Sequence, residues 1–298
     1  MSDPTDPSSP GPERSAGPGG EGSHPGSVPR IASVGSGELP PGDGGWFDRY
    51  PFRPRTRTGP VSAVALTVII MLISVIVGVA AIAAKLAALG ELGRFATLKD
   101  PDGWDVADLV ALLIVPQLVT VGLVAWFAGF NGSERRLALS LEPPVNGVRD
   151  YLLAIALMVV LGLGIGVGID QLFPHDSTED VKFFLPMMQG GLLPFTLFAL
   201  VVGAPLSEEL LFRGYLFPSI AKSPIGVVGA TLISDLLWTA LHAGNSYSAQ
   251  GMLQIFLLGL VLSYILVRTG SIWPGIVGHG AYNGVMALFM LSMLPQTA

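Results

Sequence analysis

The chain has 298 residues, 50% of them hydrophobic and 13% charged, with 38 Gly, 24 Pro, no Cys and a net charge of −6. Without cysteine there is no disulfide framework, no thiolate metal site and no cysteine nucleophile. The acidic balance and short basic runs argue against a nucleic-acid partner. Two unlike pieces make up these averages. Residues 1–60 hold 12 of the Pro, 12 of the Gly and 13 of the charges, whereas the other 238 residues carry only 25 charges. A water-soluble domain is about 25% charged, so the second piece is too apolar to face water. The fold class expected is all-α, a polytopic transmembrane helical bundle behind a disordered N-terminal tail.

Residues 1–58 are expected to form that tail, because a Pro/Gly/Ser-rich segment with little to bury cannot offset the entropy of ordering. Its end reads WFDRYPFRPRTRTGP, with Trp46, Phe47, Tyr50 and Phe52 interleaved with Arg49, Arg53, Arg55 and Arg57. Aromatic and basic residues just before a span predict an interfacial anchor on the cytoplasmic side. No apolar segment precedes it, so no secretory signal peptide is expected and the first span serves as the insertion signal.

The membrane domain, residues 59–298, divides by its charge-free runs. Val61 to Ala84 is uncharged for 24 residues, Leu109 to Ser133 for 25, Tyr151 to Ile169 for 19, and Phe183 to Ser207 for 25, with apolar character continuing to about Ile220. Beyond Ser223 only Asp235, His242 and Arg268 interrupt, and breaks at Ala243–Gln250 and Thr269–Ser271 give spans near 225–243, 251–267 and 272–294. Roughly 20 helical residues cross a hydrocarbon core about 30 Å thick, so seven helices are predicted. With the N-terminus inside, one side receives the four Arg of the anchor plus Arg135, Arg136, Arg149, Lys222 and Arg268. The other receives Arg94, Lys99 and Lys182 among several acids. Positive charge favours the cytoplasm, so the expectation is an integral, multi-pass protein of the plasma membrane with a cytoplasmic N-terminus.

Ionisable residues inside spans cost about 2.5–3.5 kcal/mol each on insertion scales and so need a reason. Here they are Glu208, Glu209, Arg213, Asp235, His242 and His279, joined by polar Gln254 and Asn283. Nearly all fall on the last four helices. In SEELLFRG, Glu209 and Arg213 stand at i and i+4 and can pair. Glu208 is turned about 100° from Glu209 and must find another donor, a proton or an aqueous cavity. Trp238 and His242 repeat the i, i+4 spacing, as do His279 and Asn283. Asp235, about 10 Å from His242 along the axis, is read as a structural or cavity residue.

The order EExxxR, aromatic-xxx-His, HxxxN, carried by SEELLFRGYLFP, SDLLWTALHAG and TGSIWPGIVGHGAYNG, resembles the CAAX prenyl endopeptidase and bacteriocin-processing (CPBP, Abi) family. The resemblance covers about residues 190–295 and departs at Trp238, where the family usually shows Phe. It implies an intramembrane endopeptidase acting on membrane-associated peptide or protein substrates, CAAX-like ones among them. By similarity Glu208 would be the general base and His242 its partner in activating a water. Glu209 and Arg213 would form a supporting pair, and His279 and Asn283 would stabilise the oxyanion. No cofactor is expected. The family has also been described as metalloproteases, and Glu208, His242 and His279 would make a His2Glu set of the zinc type. However, there is no HExxH, and the metal-free glutamate mechanism is preferred.

Two other classes compete. Intramembrane acids, bases and histidines also suit a proton-coupled transporter, though no internal repeat of the carrier kind is visible. A non-catalytic membrane scaffold or immunity protein would keep the same fold. Other intramembrane proteases fit worse: GVGID interrupts the GxGD string of the aspartyl type with Ile169, and no GxSG-like elbow lies in a span.

Overall fold

The computed structural model describes residues 50–99, 101–174, 176, 178–243 and 247–295. Of the disordered tail expected over residues 1–58, residues 1–49 lie outside the described residues, whereas 50–58 pack on the bundle with Phe52, Thr56 and Thr58 buried. The remainder is mostly helical, and among the described residues there is no strand. Seven apolar helices follow in order: α1 Pro60–Leu89, α2 Val106–Ala128, α3 Val148–Leu172, α4 Gly190–Ala221, α5 Gly226–Leu241, α6 Ala249–Thr269 and α7 Trp273–Met293. All but α5 are long and apolar enough to cross a membrane. With 16 residues, α5 is about 24 Å long at 1.5 Å per residue, short of a full hydrocarbon core.

Local chemistry sets the ends. Pro60 opens α1 at a position where a missing N–H costs nothing, and Gly90 closes it in the left-handed region at φ 72. One stripe of α1 is buried: Ala63, Thr67, Ile70, Ser74, Gly78, Ile82 and Leu86. It packs on α2, where the Ser74 and Thr120 hydroxyls meet at 2.9 Å. The opposite face carries exposed Leu72, Val75 and Ile76, as a helix facing lipid should. Beyond α1–α2, the bundle is knit by α4 against α1, α2 and α5, by α5 on α6, and by α7 against α3, α4 and α6.

Four π-helical segments interrupt these helices: Val110–Ile114 in α2, Leu157–Leu161 in α3, and Ala199–Gly203 and Glu209–Leu216 in α4. All but the α3 segment end two residues before a proline, namely Pro116, Pro205 and Pro218. A proline ring clashes with the carbonyl four residues back and offers no N–H to it, and widening the helix relieves that clash. A carbonyl left without a helical N–H finds no partner in lipid, and side chains of neighbouring helices donate to this stretch of α4. Gln117 of α2 donates to Ala199 O at 3.1 Å, and Asn283 of α7 donates to Leu200 O at 2.8 Å.

The juxtamembrane anchor from Tyr50 on lies across one end of the bundle. Phe52 is buried edge-on to Phe217 at 5.4 Å, Lys222 Nζ donates to Thr56 O at 2.9 Å, and Arg55 pairs with Glu142 at 2.7 Å. At the other end Asp180, ahead of α4, accepts from the Ser248 hydroxyl that caps α6.

Candidate active site

Among the described residues, buried ionisable side chains of α4, α5 and α7 meet in one group, and their arrangement starts from the π segment Glu209–Leu216. π segments are rare and recur at functional sites. This one buries every one of its residues, Arg213 completely. The expected Glu209–Arg213 pair forms, with Nη1 to Oε1 at 3.2 Å. Arg213 also reaches α5, donating from Nη2 to Asp235 at 3.0 Å, and α6, donating to Gly259 O at 3.2 Å. A guanidinium presents a fork of five donors, which lets one cation serve two helices beyond its own.

Asp235, read from the sequence as a structural or cavity residue, is a member of this network. It is fully buried and also accepts from the Ser263 hydroxyl of α6 at 3.0 Å. The signal was present, since Asp235 shares a stripe with Trp238 and His242. Its partner stands 22 residues back on another helix, out of reach of any spacing rule. Gly259 allows the helices to approach: a Cβ there would lie 3.1 Å from both Asp235 Cγ and Trp238 Cε3. His279 of α7 closes the group, its Nδ1 3.3 Å from Glu209 Oε1. Removing one partner from so buried a charge group costs about 3–5 kcal/mol.

Glu208 faces elsewhere. It is only half-buried, and its Oε2 accepts the indole N–H of Trp238 at 2.6 Å. His242 does not lie inside a span as expected but caps the C-terminus of α5, where it is half-buried. Its backbone N–H turns to Thr239 O at 2.9 Å, which frees the Trp238 carbonyl, and the imidazole Nδ1 approaches that carbonyl at 3.0 Å. A carbonyl only accepts, so Nδ1 is the donor of this bond, and in the neutral ring that tautomer places the lone pair on Nε2. Asn283 is half-buried, and one amide N–H is engaged by Leu200 O.

Trp238 is the common neighbour. Its ring, 3% exposed, packs against His242 at 5.2 Å and His279 at 5.7 Å between centroids, and Arg213 Cζ sits 4.6 Å from its centroid. Tyr247, just after α5, stands edge-on to His242 at 5.8 Å. Burial, reinforced by the nearby Glu208 and Asp180 carboxylates, pushes the Tyr247 hydroxyl up, so it stays a neutral donor. Nothing in the spacing of the sequence motifs pointed to Tyr247.

The six expected site residues thus divide by access. Glu209, Arg213 and His279 are buried, whereas Glu208, His242 and Asn283 are partly open. Among the described residues no three His, Asp or Glu side chains gather as a ligand set for an ion. Glu208, His242 and His279 each face a different partner: an indole, a main-chain carbonyl and a carboxylate.

Residues 190–285 match the family model described as type II CAAX prenyl endopeptidase Rce1-like. The chain is also similar to the UPF0177 protein YxdF of Lactococcus lactis subsp. lactis (strain IL1403). The two are 30% identical over 167 residues, covering 56% of this chain and 87% of that protein. No solved structure matches significantly.

Proposed function

The chain belongs to the CAAX prenyl endopeptidase and bacteriocin-processing family, is an integral multi-pass membrane protein, and on that premise we propose that it is an intramembrane endopeptidase that activates water with Glu208. The observation that carries this reading is the division of two adjacent carboxylates. Glu209 is locked in a buried ion pair, while Glu208 is half-open and held by one neutral donor. A carboxylate of the second kind keeps an oxygen free to accept a proton.

In the proposed reaction Glu208 takes a proton from water as its oxygen attacks the scissile carbonyl carbon, and the carbonyl π electrons move to oxygen. His242 assists through Nε2, the ring nitrogen left unprotonated by the Trp238 carbonyl. Asn283, through its second amide N–H, and His279, as an imidazolium whose Nδ1–H faces Glu209 and whose Nε2–H is then a second donor, stabilise the oxyanion. Donors aimed at developing charge are worth most where water is excluded. On collapse the C–N bond breaks, and the proton held by Glu208 passes to the leaving amine. The Arg213–Glu209–Asp235 group holds α4, α5 and α6 in place around this chemistry. The substrates proposed are membrane-associated peptides or proteins, CAAX-like ones among them, and no cofactor takes part.

Glu208→Ala and His242→Ala in proteoliposomes should abolish cleavage of a quenched farnesylated peptide while each variant keeps its unfolding midpoint. Cleavage at the wild-type rate by either variant would defeat the assignment. Wild-type enzyme freed of metal by chelation should retain full activity; loss restored by added zinc would replace the metal-free route.

A further inference from the structure

We propose that Trp238 registers the water-activating pair, its indole N–H holding the Glu208 carboxylate while its own carbonyl holds the His242 imidazole. The inference rests on Glu208 being the base, and makes Trp238 a positioning residue for it. A glutamate side chain in a partly open site has rotamer freedom to lose, and a base that wanders is a poor one, because reacting atoms must be held to a fraction of an ångström. The 2.6 Å contact to Oε2 is short, as hydrogen bonds to a charged acceptor are. It occupies one carboxylate oxygen and leaves Oε1 for the water.

The donor itself cannot drift. The ring is 3% exposed and is wedged between the Arg213 guanidinium, the edge of His279 and the Gly259 backbone of α6. The same residue sets the other half of the pair. His242 N bonds to Thr239 O instead of Trp238 O, so the Trp238 carbonyl is available for Nδ1 and determines which imidazole nitrogen stays basic. Base and histidine come from different helices, and they share one residue as reference. Phenylalanine here would keep the carbonyl but lose both the N–H and part of the ring packed on Gly259, whereas an isosteric ring without the N–H keeps the packing, so the donor is separable from it.

The test compares Trp238→Phe, and position 238 carrying 3-benzothienylalanine, in which sulfur replaces the indole N–H at nearly constant shape. Both are made in the full chain, reconstituted in proteoliposomes and assayed on the farnesylated peptide. The expected result in the benzothienyl variant is kcat lower by roughly 10- to 100-fold, the loss that follows removal of a hydrogen bond to a charged group, with KM and the unfolding midpoint unchanged. Trp238→Phe loses kcat likewise and also lowers the midpoint, because it leaves a cavity. A purely structural role would move the midpoint and spare kcat. Independently of activity, the Trp238 indole ¹H–¹⁵N resonance should sit downfield and move upfield in Glu208→Ala. Full kcat in the benzothienyl variant, or an indole resonance indifferent to Glu208→Ala, overturns the proposal. Wild-type cleavage by Glu208→Ala instead overturns the reading of Glu208 as base.

Discussion

At the scale of residues, the molecule treats two neighbouring glutamates in opposite ways. Glu209 meets a guanidinium and an imidazole at 3.2 and 3.3 Å and is 1% exposed, so it can neither move nor meet a substrate. Glu208, one position earlier, meets an indole and solvent-accessible space. The 100° turn between successive helical residues made the divergence legible in the sequence. The donor for Glu208 was not, because an indole N–H two helix ends away leaves no mark on spacing. Asn283 raises a related point. Its amide is oriented by Leu200 O, and the remaining N–H is the one assigned to the oxyanion. Asn283→Ala should therefore lower kcat by roughly 10²–10³ with little change in KM. Steady-state kinetics on the reconstituted variant check this, and an unaltered kcat removes the role.

At the scale of elements, the π segments of α4 decide how the site is assembled. The sequence suggested plain helix through SEELLFRG, and the i, i+4 pair survives in the wider winding. The pattern of apolar residues carries no sign of the wider winding, and the structure shows Pro205 and Pro218 each following a π segment by two residues. The wide turn at Ala199–Gly203 turns carbonyls toward α2 and α7. There Val201 O would lie 2.7 Å from a Cβ placed on Gly280. That distance is too short for any side chain, and the obstacle is backbone that cannot swing away. Gly280→Ala is expected to destabilise the protein by about 1–3 kcal/mol, as overpacking does, and to reduce activity by shifting His279 and Asn283 on the same helix. Thermal unfolding in detergent reads the first effect and peptide cleavage the second. An unchanged midpoint would mean that α7 does not sit this close to α4.

At the scale of the whole molecule, the helices leave two sets of loops on opposite ends. The anchor strap touches Ser133, Glu142, Lys222 and the Gly270 turn, which gathers the basic loops at one end. The other end holds the 90–105 connection and the Asp180–Ser248 tie. By the positive-inside rule the strap end is expected to face the cytoplasm. The chain has no cysteine, so single cysteines report topology without background. A membrane-impermeant maleimide should label Lys99→Cys on intact cells and Arg55→Cys only after permeabilisation. The reverse pattern would invert the orientation.

Composition alone determined that this chain is a membrane helical bundle, because a stretch with 25 charges in 238 residues has no other way to hide its surface. The apolar helices could be placed to within about seven residues for the same reason, since length and hydropathy are local properties, although α5 is too short for the span expected there. The polar residues of the last four helices were legible too, as each one violates the rule for its surroundings. Which of them meet was decided by tertiary structure alone. Arg213 joins Asp235 across 22 positions, and Trp238 joins Glu208 across 30. The cap position of His242 likewise follows from where α5 stops. Contacts between helices depend on how faces rotate and pack in three dimensions, and that information is spread over the whole bundle instead of residing in any one motif.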